Sequence, residues 1–166
     1  MFARQDPEDI GTWESVEATA RRVDDRDALL KALEALARLE PDDPERTADV
    51  IDEYFARDRF SDGFALLGPA LQEHPNNAHL LFLAGIYYSR RGNEADTRRA
   101  LDYLCRAIKT GDPAWRSQAM HMYDSFVPRL TEEEINQAKF FGRKIERIHF
   151  CDIPERAGER DVIEVR

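Results

Sequence analysis

The 166-residue chain is short of the residues that define several large protein classes. It has two cysteines, Cys105 and Cys151. That is too few for a disulfide framework, and both are read as reduced thiols. No run approaches the roughly 18–20 apolar residues that cross a bilayer, so no membrane partner is expected. The N-terminal stretch from Met1 to Pro7 has no apolar signal core and turns acidic at once, which makes a cytoplasmic location the expectation. There is no glycine-rich phosphate loop, no Gly-x-Ser-x-Gly elbow and no dinucleotide fingerprint, so the common routes to nucleotide and acyl chemistry have no visible support. Cys-x-x-Cys and His-x-x-x-His pairs are also missing.

What is abundant is charge. Charged residues make up 34% of the chain and the formal net charge is −9. Residues 1–60 hold 17 acidic and 9 basic side chains, against 16 and 15 in the remainder. An acidic half repels phosphate backbones, so no nucleic-acid partner is expected. The same field either keeps the chain soluble or steers a basic partner toward that half.

Against this background an internal period of 34 residues stands out. Trp13, Thr47 and Leu81 are spaced by it, as are Val16, Val50 and Ala84, and Ala20, Tyr54 and Tyr88. In the second half of each unit Leu33 matches Leu67, Leu36 matches Ala70, and Pro41 matches Pro75. A third copy continues through Ala100, Leu104 and Ala107 if three extra residues are allowed near Asn93–Thr97. Apolar spacing of three and four residues predicts two helices per unit, with Pro41, Pro44, Pro75 and Pro113 at the boundaries. Small residues such as Gly63, Gly85 and Ala100 fall where helices must approach closely.

Beyond Pro113 a further helix is expected over 114–127. Thr131 and Glu134 then form a capping-box signature, opening a closing helix with an apolar stripe at Ile135, Ala138, Gly142, Ile145 and Ile148. One domain over residues 10–148 follows. The tail, 149–166, reads as flexible, with a docked segment or an added strand as the alternative.

On Trp13, Ala20, Tyr54, Phe60, Gly63, Ala70, Pro75, Gly85, Tyr88, Gly92, Ala100, Ala107 and the 34-residue period, residues 10–127 resemble a tetratricopeptide repeat protein. The third unit is similar to the related SEL-like repeats. Glu17 stands where a glycine is usual, Arg26 where an aromatic is, and Thr47 and Ile51 in columns often held by tryptophan and glycine. The resemblance implies an all-α fold: a short right-handed superhelix of three to four helix pairs with a closing C-terminal helix. It also implies an adaptor or assembly factor that binds another protein or peptide without a cofactor. In such a stack the first helix of each pair lines the concave side. Residues expected there are Glu14, Arg21 and Arg22 from the first unit, Asp52 and Phe55 from the second, and His79, Phe82, Ile86, Ser89 and Arg90 from the third. Phe55 and Phe82 either serve as binding anchors or pack against neighbouring helices. The carboxylate clamp of one subfamily is absent, its columns holding Glu14, Ala18, Asp49 and Leu83.

Two other readings are carried. The acidic half suits a bacterial immunity or secretion-chaperone protein that sequesters a basic toxin or effector. An enzyme with an unrecognised site is the other, though no catalytic constellation supports it and the chain is read as a non-enzyme. His149-Phe150-Cys151 lacks the further ligands of a zinc site. Cys105 lies in an apolar stripe and reads as a small hydrophobe, and His121 as a half-buried packing residue. Arg90, Arg91, Arg98, Arg99, Arg106 and Lys109 form a basic cluster that pairs either with nearby acids or with a partner.

Overall fold

The computed structural model describes residues 8–145 and 148–163. Among them are eight α-helices, two three-residue strands and one 3-10 turn. They fall into two compact units, residues 1–83 and 84–166.

The first unit contains α1 (Ile10–Val23), α2 (Arg26–Leu39), α3 (Pro44–Ala56), α4 (Phe60–Glu73) and the start of α5 (Ala78–Ser89). The period is written in its backbone. Helices begin at 10, 44 and 78, and their partners at 26, 60 and 94. The residue before each start is Asp9, Asp43 or Asn77 in one series and Asp25, Arg59 or Asn93 in the other. All but Arg59 place a side-chain oxygen on a free first-turn N–H, at 2.8–3.0 Å. The turn inside each pair has a left-handed residue at the same place: Asp24 (φ 55°), Asp58 (φ 58°) and Gly92 (φ 73°). At the first two, the amide of the following residue reaches back five positions, Asp25 to Ala20 and Arg59 to Tyr54, both at 2.9 Å. This is a Schellman closure.

Connections of two to four residues fold each helix back on the last, so that α1 packs on α2, α2 on α3 and α3 on α4. Leu33, Leu36, Ile51 and Leu67 are buried in these contacts, each stabilising the fold by roughly 1.5–3 kcal/mol. Gly63 leaves room for a close approach. A Cβ there would lie 2.5 Å from the Phe55 ring, which fills the space over the glycine.

The second unit holds the rest of α5, then α6 (Glu94–Lys109), α7 (Pro113–Phe126), β1 (Arg129–Thr131), α8 (Glu132–Phe140), the 3-10 turn (Pro154–Arg156) and β2 (Glu159–Asp161). The three-residue insertion expected at Asn93–Thr97 does not occur. The start of α6 is 34 residues after that of α4, and its extra length is added at its C-terminal end. Leu101 and Leu104, not Leu104 and Ala107, therefore stand where Leu67 and Ala70 do, and both are fully buried. Gly85 repeats the logic of Gly63, with Leu104 seated over it.

Two further expectations need correction here, and the described part of the tail takes the docked one of its two readings. The closing helix stops at Phe140 and does not run through Ile148. Gly142 is left-handed (φ 67°) and the Arg143 amide donates to the Ala138 carbonyl at 2.9 Å, a helix stop of the Schellman kind. The cysteines are not reduced: Cys105 on α6 is bonded to Cys151. The described part of the tail is docked. β2 pairs antiparallel with β1, Ile153 and Val162 are buried, and Arg156 makes a two-pronged ion pair with Asp124 at 2.8 and 2.9 Å. The expected domain ends inside this arrangement at residue 148, while β1 finds its strand partner beyond it.

Candidate interaction surface

The first helices of successive pairs carry polar residues at helical spacing. Glu14, Glu17 and Arg21 share one face of α1, and Glu45, Asp49 and Asp52 share one face of α3. Ion pairs tie the faces together. Arg46 donates to Glu14 and to Glu40, both at 2.6 Å, and lies 4.0 Å from Glu17. Arg21 pairs with Glu17 at 2.9 Å. On α5, His79 Nδ1 donates to Glu45 at 3.0 Å and Nε2 lies 3.8 Å from Asp52, while Asn77 donates to Glu45 at 2.9 Å. His79 and Glu45 are 34 residues apart, so the bond repeats the period in space.

This face has more acid than base: six carboxylates, Glu14, Glu17, Glu40, Glu45, Asp49 and Asp52, surround Arg21, Arg46 and His79. The excess shows in its titration. Burial lowers the His79 imidazole, but the nearby Asp52 carboxylate and the hydrogen bond to Glu45 outweigh it and hold the group above its ordinary value of 6.5. Burial raises the Asp49 carboxyl, with only partial relief from His79. Glu14, Glu45 and Asp52 keep about half of their side-chain surface exposed. The surface can therefore offer a partner acceptor oxygens and negative charge.

The expected groove residues divide. Arg21 and Asp52 are exposed members of this face, and Arg22 is exposed on α1. His79 belongs to it but is only 2% exposed and acts as a clasp between helices. Phe55 is 7% exposed and packs 5.0 Å from Phe60 inside the α3–α4 pair; it is a core residue. Phe82 is half-buried on α5. Ile86 and Ser89 are half-buried in the second unit, where Ser89 donates to the Ile86 carbonyl, and Arg90 is exposed there. Sequence reasoning missed Glu17, Arg46 and Asp49. Their signal was the spacing of like positions on α1 and α3, hidden because only apolar columns were aligned.

In the second unit the basic cluster is largely paired at home. Arg91 and Arg99 meet Asp96 at 2.9 and 3.4 Å, Arg98 meets Glu94 at 3.5 Å, and Arg106 lies over the Tyr103 ring. His121 is exposed, contrary to the half-buried expectation, because it points off α7 away from the apolar positions Ala119 and Tyr123. His149 is a structural link: Nε2 donates to Asp102 at 3.0 Å and Nδ1 is hydrogen-bonded to the Tyr123 hydroxyl. Burial, with Asp161 close by, pushes that phenol far above its ordinary range. Among the described residues no group of three or more His, Cys, Asp or Glu is arranged to hold a metal ion, and no helix is long and apolar enough to cross a membrane.

Comparison with known proteins assigns no family: no family model matches the chain, and no curated protein matches it.

Proposed function

We propose that the chain is a tetratricopeptide-like interaction module that captures a basic peptide or helix of another protein and performs no catalysis. In this reading the helix pairs stack as a short right-handed superhelix and the α1–α3–α5 face is its recognition surface. The observation that carries the proposal is the acidic excess on that face, held in place by bonds that link first helices one period apart. Ion pairs already formed within the surface fix its side chains, which lowers the ordering cost on binding. The uncompensated carboxylates steer a cationic partner and set its register.

The test is Glu14→Lys/Asp52→Lys against the wild-type chain, with cross-linking and co-purification at low and raised salt. The expected result is a partner that is rich in Lys and Arg, held at low salt and lost in the variant. A partner set indifferent to both changes removes the face from consideration. Sequestration of a basic toxin or effector is the second reading, favoured by the same acidic excess. It predicts that the captured protein is inactive while bound. The Cys105–Cys151 bond favours a location where thiols are oxidised over the cytoplasm. Alkylation of freshly lysed cells, followed by mass measurement, decides between them.

A further inference from the structure

Two surfaces outside the acidic face complement each other. At the end of α8, Phe140 and Phe141 are 85% and 73% exposed, with their rings edge to face at 5.4 Å. Lys139, Arg143 and Lys144 are exposed beside them, and no acidic residue occurs between Gln137 and Ile145. The glycine stop at Gly142 presents the aromatic pair on a closed helix end. Exposed paired aromatics of this kind mark contact sites.

In the first unit a recess of about 210 Å3 opens on α4, lined by Pro41, Pro44, Leu66 and Pro69 and by the polar pair Glu73 and His74. A cavity on the order of 150 Å3 accepts a benzene ring, so this one has room for one phenyl group. Leu66 is left 40% exposed in its wall. Asp42 is exposed between the two prolines and Glu73 lines the recess beside His74, so the recess has an acidic side. The knob has Lys139, Arg143 and Lys144 on one side, with Glu132 and Glu133 further back along α8.

We propose that the Phe140–Phe141 tip of one molecule seats in the Pro41–Leu66–Pro69 recess of a second copy, with Lys139, Arg143 and Lys144 facing Asp42 and Glu73. The apolar contact supplies the attraction and the opposite charges orient it. Knob and recess are different surfaces, so the contact is head to tail. Every pair keeps one knob and one recess unused, and growth continues into open chains.

Sedimentation velocity and light scattering on the full chain test this. Wild type should gain mass with concentration past the dimer. Phe140→Ser/Phe141→Ser lacks the knob and Leu66→Arg lacks the recess, so each alone should be a monomer. Their equimolar mixture should form a dimer that does not grow, since one intact knob meets one intact recess. Circular dichroism and thermal melts establish that both variants are folded. Should Leu66→Arg fail that check, Glu73→Lys replaces it and should weaken self-association roughly threefold. A wild type that stays monomeric at every concentration, or a mixture that fails to dimerise, overturns the proposal. Binding of monomeric wild type to anionic phospholipid vesicles, lost in the Phe140→Ser/Phe141→Ser variant, would give the tip to a lipid surface and overturn it as well.

Discussion

Residues 10–109 and residues 127–163 are built differently. In the first stretch the helices are started, stopped and paired by near neighbours: an Asp or Asn cap at every start but that of α4, a left-handed turn residue inside each pair, and at Gly63 and Gly85 a small residue under a large one. In the second, regular structure is scant and order comes from partners far away in sequence. Arg129 pairs with Glu159, Arg156 with Asp124, and Cys151 with Cys105. A short segment with few buried apolar residues cannot offset its own ordering entropy, so it borrows stability from a covalent staple and from ion pairs. The comparison teaches that one chain can contain a part whose stability is local and a part whose stability is tethered.

Cutting the staple should break that comparison most severely. Cys105→Ala/Cys151→Ala opens a closure of 46 residues, and the loss expected for a loop of that size is about 2–4 kcal/mol. Hydrogen exchange should show residues 148–163 losing protection while the amides of α1–α4 keep theirs. Equal loss in α1–α4 would mean that the two parts are not separately stabilised. The next largest effect lies in the repeat. Gly63→Ala places a methyl group against the Phe55 ring. Overpacking of this kind costs about 1–3 kcal/mol, offset by up to ~1 kcal/mol of helix propensity. Urea denaturation should show stability lowered by about 1–2 kcal/mol, seen as a lower midpoint. An unchanged midpoint would show that Phe55 has room to swing aside.

The same division explains what was legible in the sequence. The helices up to α7 and the Thr131–Glu134 capping box rest on near neighbours and are found, while the length of the closing helix and the insertion before α6 were misjudged. The candidate face was half legible: helical spacing puts Arg21, Asp52 and His79 on the first helices, where they meet the same set of carboxylates. Burial is a tertiary quantity, however, and the bulk of Phe55 was taken up inside its own pair. The disulfide was not legible at all. Two cysteines 46 residues apart give no local signal, and Cys105 sits at an apolar position that accounts for itself. The docking of the tail was legible only as an alternative to a flexible one, since its bonding partners lie about 30 residues or more away.

The acidic face sharpens the comparison through pH. His79 is held above its ordinary value by Asp52 and Glu45 against the opposing effect of burial, with Asp49 adding to the field. A group raised on folding stabilises fully below its unfolded value and loses that contribution as pH rises through the folded value. Wild type should therefore lose stability relative to His79→Gln between about pH 5.5 and about pH 8.5. Paired denaturation curves at the two pH values read the difference. A gap between the two proteins that is the same at both would show that the imidazole does not gain a proton in this clasp.

The smallest effect tests whether the copies of the repeat are interchangeable at one backbone position. Asp24 and Gly92 occupy the same left-handed turn, two periods apart, with φ values of 55° and 73°. An L-residue there meets a penalty of about 1–2 kcal/mol, while glycine carries about 0.5–1 kcal/mol more unfolded-chain entropy. Asp24→Gly should therefore stabilise by a few tenths to about 1 kcal/mol, and Gly92→Asp should destabilise by a similar amount. Thermal melts of the two single variants and of the double variant read this directly. Opposite signs with a nearly neutral double variant are expected if the position is set by the turn alone. Two destabilising singles would instead show that the Asp24 side chain contributes something that its copy at Gly92 has replaced by other means.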